Sequence, residues 1–405
     1  MPLVYLPSAL DTKSFTRDVL VKQLHLKFDI QNPVVERLFT PDPVRVWNSK
    51  STRSVDAAEH MMDIYHRHIS PGDSLDAFLD NEIIPRIQTA LLVPENLDTN
   101  PTQPFAVSLC EICTDAFIKG LVASYYGDIM FELEPDFVEW YLQWERLSWK
   151  CIFGLPGSLS KDMITARAKL VDAFFRYFSM APTKRGHSNF WTQGVQRSLR
   201  ELDLSNEKIA RIFMMQTWGY GVTFWLVAHL VQDRSLLETI TLEVQGVVDS
   251  NQKTPINHGY LVDECPKLDA LFEEILRLTV TSPLVRGITS TSTIGGKALR
   301  EGNQVLHCLG FDSAKATSYA LFNDSTLKSS LAYRPWGGGK TLCPGRFLAR
   351  KAVFAFVACL LGRFEVETEV GAPFPRADLS TTTPGSAAVA EGEDVVLLLR
   401  SKIRA

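Results

Sequence analysis

Long apolar runs are scarce in this chain. The longest candidate, Ala352 to Leu361, is about half of what a helix needs to cross a bilayer. The start, Met1-Pro-Leu-Val-Tyr-Leu, lacks the basic-then-apolar pattern of a secretory signal. Lysine- or arginine-rich tracts are missing as well. With 42 basic residues against 46 acidic ones and a net charge of -4, the electrostatic footprint of a nucleic-acid binder is absent. The seven cysteines are odd in number and scattered without a framework spacing, so free thiols in a reducing, intracellular compartment are expected rather than a disulfide scaffold. No internal repeat and no low-complexity tract interrupts the pattern.

What is present is a chain able to bury a core: 45% apolar and 22% charged over 405 residues. One large domain over residues 1–405 is expected. Apolar residues recur at helical spacing over His60 to His68, Leu75 to Leu92, Val107 to Tyr126, Glu134 to Phe153 and Asp162 to Met180. A surface connection at 94–104, rich in Pro, Asn and Thr, and the turn Gly154-Leu-Pro-Gly-Ser separate some of these segments. Ser205 offers an N-cap to a long apolar helix, Ile209 to Gln232, and Lys267 to Thr279 gives a shorter one. Val285 to Ser290 reads as a strand before a Gly-Gly turn at 295–296, and the tail from Phe364 to Ile403 alternates like strands. The fold class is therefore mainly helical, with small sheets concentrated towards the C-terminus.

The segment Trp336-Gly-Gly-Gly-Lys-Thr-Leu-Cys343-Pro-Gly-Arg346 carries the chemistry. A cysteine that holds a metal must be a thiolate, and a buried thiolate needs support from the metal, from backbone N–H groups or from a helix N-terminus. Gly337, Gly338, Gly339 and Gly345 would let the backbone wrap closely around the sulfur. Pro344 suits the first turn of a following helix, Arg346 to Leu361, whose positive end would face the ligand.

Trp336-x-x-Gly339-x-x-x-Cys343-x-Gly345 resembles the haem-binding signature of the cytochrome P-450 family, with Trp where Phe is commoner. Glu274-Ile-Leu-Arg277 resembles that family's Glu-x-x-Arg helix. The impression is closest to the branch with sterol 7α-hydroxylases, prostacyclin synthase and related fungal enzymes of secondary metabolism, through Cys343-Pro-Gly-Arg, Arg334-Pro-Trp and Thr223-Phe-Trp225. The resemblance implies a cytochrome P-450-like fold holding haem b (iron protoporphyrin IX), with Cys343 as axial ligand to the iron. Trp336, Gly339 and Gly345 would shape the cofactor site, and Glu274 with Arg277 would form a buried structural ion pair. Arg286 is either the partner of a haem propionate or an ordinary strand-flanking arginine. An axial thiolate donates electron density to iron, which favours O–O cleavage.

The distal helix departs from the family. Trp218-Gly219-Tyr220-Gly221-Val222-Thr223 stands where most oxygenases carry an acid followed by threonine. Aligned on threonine, Thr223 is kept and Val222 replaces the acid. Aligned on Phe224-Trp225, the catalytic pair becomes Trp218-Gly219. Thr223 and Gly219 are thus the two catalytic positions that the resemblance marks. An N-terminal anchor, the first strands of the family's sheet and a Trp-x-x-x-Arg helix near residues 44–70 are expected to be absent. The meander before the cysteine loop reads as shortened, with Arg334 the nearest spare arginine and Thr341 at a place where Arg or His is common.

The resemblance implies a monooxygenase acting on a hydrophobic small molecule such as a terpenoid, steroid or other secondary metabolite. Electrons would come from NADPH through NADPH-cytochrome P-450 reductase, with cytochrome b5 as a further partner. The protein would be cytosolic or peripheral on the cytosolic face of the endoplasmic reticulum. The incomplete acid–threonine pair keeps open a haem-dependent isomerase, cyclase or dehydratase, and the shortened meander keeps open a non-catalytic remnant. Lys340, Arg346, Arg350 and Lys351 are either a docking face for an acidic redox partner or a solvated helix face. Cys110 and Cys113 lie in a helical pattern with no second Cys or His pair nearby, which argues against zinc.

Overall fold

Asp56, a residue that favours turns, accepts from the Glu59 N–H and starts the helix Ala57–Ile69, which turns Met61, Ile64 and His68 inward. This is how helical spacing becomes structure throughout the computed structural model. It describes residues 15–16, 18–41, 56–92, 103–186, 188–215, 221–247, 256–280, 284–294, 296–307, 333–338, 342–378 and 385–402.

The stripe read over Leu75 to Leu92 is a helix in three pieces, Asp73–Phe78, Leu79–Ile83 and Ile84–Ala90, with a π-type turn in the middle. The helix read from Val107 starts at Leu109 instead. Phe105–Ser108 is a strand, β2, because all four residues pair with the C-terminal strand β8 (Val396–Ser401). Long-range pairing overrides local helical spacing here. Phe190–Glu201 and Arg234–Val244 are among the helices that the sequence reading did not include, although each has a capping residue. Asn189 accepts from Thr192 N–H at 2.9 Å to begin Phe190–Glu201, and Asp233 accepts from Leu236 N–H at 3.0 Å to begin Arg234–Val244. The long distal helix is described as Asn206–Met215 and Val222–Gln232; residues 216–220 lie outside the described residues.

Phe137–Ile152 and Lys161–Ser179 pack together, joined through Gly154, whose φ of 67° requires a residue without a side chain. With Asn206–Met215 they bury Trp144, Phe174, Phe178 and Phe213, the last two with rings 4.5 Å apart. Such side chains contribute about 1.5–3 kcal/mol each on burial. A second core surrounds Arg346–Arg363, whose Val353, Phe354, Phe356, Val357 and Leu360 are all buried. This helix has no polar face along that stretch, so it must run through the interior. His258–Asp263, Ile84–Ala90, Arg234–Val244 and the strand Phe364–Thr368 pack against it, and Phe272 of Pro266–Thr279 meets Phe354 edge-on.

Among the described residues there are three small antiparallel sheets, in the orders β1-β3-β6, β2-β8-β7 (β7 being Phe364–Thr368) and β4-β5. In the first, β1 (Phe15–Thr16) pairs with β3 (Leu284–Ile288), and Arg286 of β3 stands opposite Val305 of β6 (Gln304–His307). Among the described residues, the two-residue strand β1 precedes the helix Asp18–Lys27 and pairs with β3. The hairpin β4 (Ser292–Ile294) and β5 (Lys297–Leu299) turns where the Gly-Gly pair was read. The meander at 308–332 and most of the 94–104 connection lie outside the described residues. Among the described residues, no helix is long and apolar enough to cross a membrane.

Candidate functional site

The loop that carries Cys343 is built by its own backbone. Gly337 adopts φ 80°, which disfavours any side chain, and its N–H donates to the Arg334 carbonyl at 3.0 Å. The Cys343 N–H donates to the Trp336 carbonyl at 2.9 Å, and Arg346 Nη1 donates to the Cys343 carbonyl at 2.8 Å. Cys343 is thereby pinned from both sides at the head of Arg346–Arg363. A Cβ on Gly345 would stand 3.7 Å from the Cys343 sulfur, so glycine leaves the sulfur's flank open.

Burial pushes the Cys343 thiol up from its ordinary 9.0. The backbone amides of Gly345 and Arg346 and the Arg346 guanidinium oppose that rise. The sulfur therefore sits among donors suited to an anion, yet in a setting too dry to ionise it alone. A metal cation at the sulfur would supply the missing compensation, and this donor set is one that a thiolate ligand to haem iron would use. Among the described residues, no cluster of His, Cys, Asp and Glu could hold a metal ion by itself. Cys110 is pushed up to about 12 by burial and by Asp394, which keeps it a neutral thiol.

Trp336 is half-buried and stacks on Phe272, ring centroids 6.2 Å apart and planes 28° from parallel. Arg286 is buried on β3 and gives Nη2 to the Gly338 carbonyl at 3.0 Å and Nη1 to the Val285 carbonyl at 2.8 Å. Its guanidinium thus lies against the glycine-rich loop. Gly339, Lys340 and Thr341 lie outside the described residues.

Beneath the loop, Pro266–Thr279 carries the expected ion pair. Arg277 donates twice to Glu274, Nε to Oε2 at 2.8 Å and Nη2 to Oε1 at 2.6 Å, and both residues are buried. The Glu274 hydrogen bonds hold the Arg277 guanidinium above its ordinary value, against the cost of burial. Glu273, the next residue back, was not singled out from the sequence, although the doubled glutamate was visible. It accepts from the Tyr333 hydroxyl at 2.6 Å and pairs with Arg350.

Of the basic residues around the loop, Arg346, Arg350 and Lys351 are described, and each takes an internal partner. Arg350 also pairs with Asp269 at 2.8 Å, and Lys351 with Asp76 at 2.6 Å. Arg346 lies over the Phe347 ring at 4.0 Å besides its bond to Cys343. Of the two readings of this cluster, a docking face and a solvated face, neither describes Arg350 and Lys351, whose charges are turned to neighbouring helices.

On the distal side, Thr223 is buried in the first turn of Val222–Gln232. Gly219 lies outside the described residues. Trp225 Nε1 donates to the Ala387 carbonyl at 2.7 Å, tying the start of this helix to segment 385–390. His229, one turn further on, is lowered to about 4 by burial, with Glu274 acting in the opposite direction. Val222–Gln232 packs against Pro266–Thr279. Tyr65, on Ala57–Ile69, is raised well above its ordinary value, by burial first. Cys343, Gly345 and Trp336 thus share one loop, Arg286 of β3 bonds to it at Gly338, and the helix that carries the Glu274–Arg277 pair meets it through Phe272 and Glu273, while Thr223 lies on a separate helix.

Comparison with known proteins bears on the family and the fold. The family description Cytochrome P450 matches residues 220–386. A steroid 17-alpha-hydroxylase/17,20 lyase of Peromyscus leucopus is 29% identical over 170 residues, covering 38% of this chain and 33% of that protein. The cytochrome P450 monooxygenase calL of Penicillium decumbens is 23% identical over 380 residues, covering 83% of this chain and 67% of its own length. Among solved structures, a cytochrome P450DA heme domain superposes with a TM-score of 0.66 at 15% identity, covering 99% of this chain and 86% of that one. The chain spans about a third of the first of these relatives and 67% of the second.

Proposed function

The chain belongs to the cytochrome P450 family, and on that premise we propose that it is a haem-thiolate monooxygenase oxidising a hydrophobic small molecule. The observation that carries the reading is the Cys343 sulfur, faced by the amides of Gly345 and Arg346 and left open by the absence of a side chain at 345.

Cys343 would hold the iron of haem b, with the Trp336 to Gly345 loop beside the macrocycle and Arg286 as the cation for a propionate. When bound, that group supplies redox chemistry with dioxygen, using electrons from NADPH through a reductase, with cytochrome b5 as a further donor. The protein's own part is to place and to shield. The amides of Gly345 and Arg346 stabilise negative charge on the sulfur, and Glu274 with Arg277 fixes the helix on which the loop rests. The segment 385–390, tied to Trp225, walls the distal side together with the buried Thr223, whose hydroxyl is the proton carrier in this reading. A terpenoid, steroid or other secondary metabolite is the substrate class that such an apolar setting suits.

A second reading rests on Val222, which stands directly before Thr223 where an acid would complete the proton relay. An isomerase, cyclase or dehydratase acting on an already oxygenated substrate needs no such relay and no external electrons.

Placement against a membrane surface is part of the proposal. Phe153, Leu159 and Ile164 are exposed where Phe137–Ile152 meets Lys161–Ser179, and the exposed Leu26 adjoins Lys27, which bonds the Ile152 carbonyl there. An apolar tip of this kind suits peripheral attachment.

The test is the absorbance of the dithionite-reduced protein under carbon monoxide. A red-shifted, thiolate-type Soret band that disappears in Cys343→Ala supports both enzymatic readings; no haem uptake by the wild type sinks both. Turnover that needs NADPH, reductase and dioxygen selects oxygenation, and turnover without them selects the second reading.

A further inference from the structure

We infer that Glu273 is a positioning residue for Cys343: its single carboxylate holds the chain where it enters the cysteine loop, at Tyr333, and where it leaves, at Arg350. The role of Cys343 as a ligand rests on the proposed function, whereas the clamp itself rests on contacts in the protein.

Adjacent residues on a helix point about 100° apart, so Glu273 and Glu274 serve different partners. Glu274 takes Arg277 of its own helix. Glu273, also buried, faces outward from that helix to the loop. The Tyr333 hydroxyl donates to its Oε2 at 2.6 Å and also to its backbone carbonyl at 2.7 Å. Arg350, one turn into Arg346–Arg363, pairs with its Oε1 and is steadied by Asp269 at 2.8 Å. Tyr333 lies just before Trp336, and Arg350 lies in the second turn of the helix that follows Cys343, so one acceptor bridges the two ends of the loop. Without such a staple, each free end adds conformational freedom that the sulfur would share.

The donors suit the task. Burial and the neighbouring Glu273 raise the Tyr333 hydroxyl far above its ordinary value, so it remains a donor at every working pH. The Arg350 guanidinium adds a charge-assisted bond, the stronger kind in a dry site. Because both donors use the same side chain, losing one loosens what the other can hold, and their effects overlap.

The experiment uses the full chain and the variants Tyr333→Phe, Arg350→Lys and Glu273→Gln. In the haem-free protein, iodoacetamide labelling is followed cysteine by cysteine by peptide mass spectrometry. Tyr333→Phe and Arg350→Lys each raise the labelling rate of Cys343 about tenfold, the scale of one lost bond to a charged group, while Cys265 and Cys359 are unchanged. The double variant matches Glu273→Gln rather than the product of the two single effects. In the haem-loaded protein the same variants lose part of the thiolate-type band under carbon monoxide. Unchanged Cys343 labelling, a uniform rise at all three cysteines, or fully multiplicative effects would overturn the clamp. If Glu273→Gln does not fold, the two single variants and their double still decide. If the wild type binds no haem, the proposed function fails, and cysteine labelling still tests the clamp.

Discussion

Gly221 faces Ser386 so closely that a Cβ on residue 221 would overlap the Ser386 hydroxyl. Gly221 precedes the helix Val222–Gln232, and Ser386 lies beside Ala387, whose carbonyl accepts from Trp225. The conflict is one of space, since a φ of -60° is open to any residue, and a side chain at 221 fits only if the Ser386 hydroxyl turns away.

Gly221→Ala should cost about 1–3 kcal/mol through overpacking. Gly221→Ala with Ser386→Ala should recover most of it, because the blocking oxygen is gone and alanine favours the helix start. Urea unfolding of the four proteins in this cycle measures the coupling. Full additivity would show that the two residues do not oppose each other.

Removing one partner of the Glu274–Arg277 pair leaves a buried charge alone. Arg277→Ala should therefore cost about 3–5 kcal/mol, whereas Glu274→Met with Arg277→Leu should cost much less. Thermal unfolding of the haem-free chain separates the two cases. A mild Arg277→Ala would mean that Glu274 finds another cation.

His68 gives a pH dependence. Burial among Phe78, Tyr125 and Phe190 lowers its ring from the ordinary 6.5 to about 4. The unfolded chain therefore takes up this proton first. The contribution of His68 to stability is complete above pH 6.5 and declines as pH falls towards 4, by about 3 kcal/mol in all. His68→Phe should flatten stability over that interval, read by urea midpoints at several pH values. An unchanged slope would exclude His68 as a source.

Phe153 and Leu159 are 54% and 65% exposed. Phe153→Asp with Leu159→Asp should leave the unfolding midpoint within about 0.5 kcal/mol of wild type, as surface changes do. It should also release the protein from vesicles containing anionic lipid in a flotation assay. Retained flotation would remove the membrane-facing role of this tip.

Much of the fold was legible because helical periodicity is local. Ala57–Ile69, Lys161–Ser179, Pro266–Thr279 and Arg346–Arg363 agree with the spacing of their apolar residues to within a few positions. Phe105–Ser108 was misread because its strand is imposed by β8, at the far end of the sequence. The strand Phe15–Thr16 was likewise invisible, since two residues carry no period, and only β3 makes them a strand. The cysteine loop announced itself through glycines and proline around Cys343, and the Glu274–Arg277 pair through its spacing on one helix.

By itself, the sequence determined the family resemblance, the candidate ligand Cys343 and the helix that begins just after it, because these depend on residue types at short, fixed spacings. Only the tertiary structure decided where charges end. It turned Arg350 and Lys351 inward to Glu273, Asp269 and Asp76, placed Arg286 on the glycine-rich loop, and set Ser386 against Gly221. Each of those outcomes joins residues distant in the chain, and the partner of a side chain across a core is selected by packing, which no local pattern records.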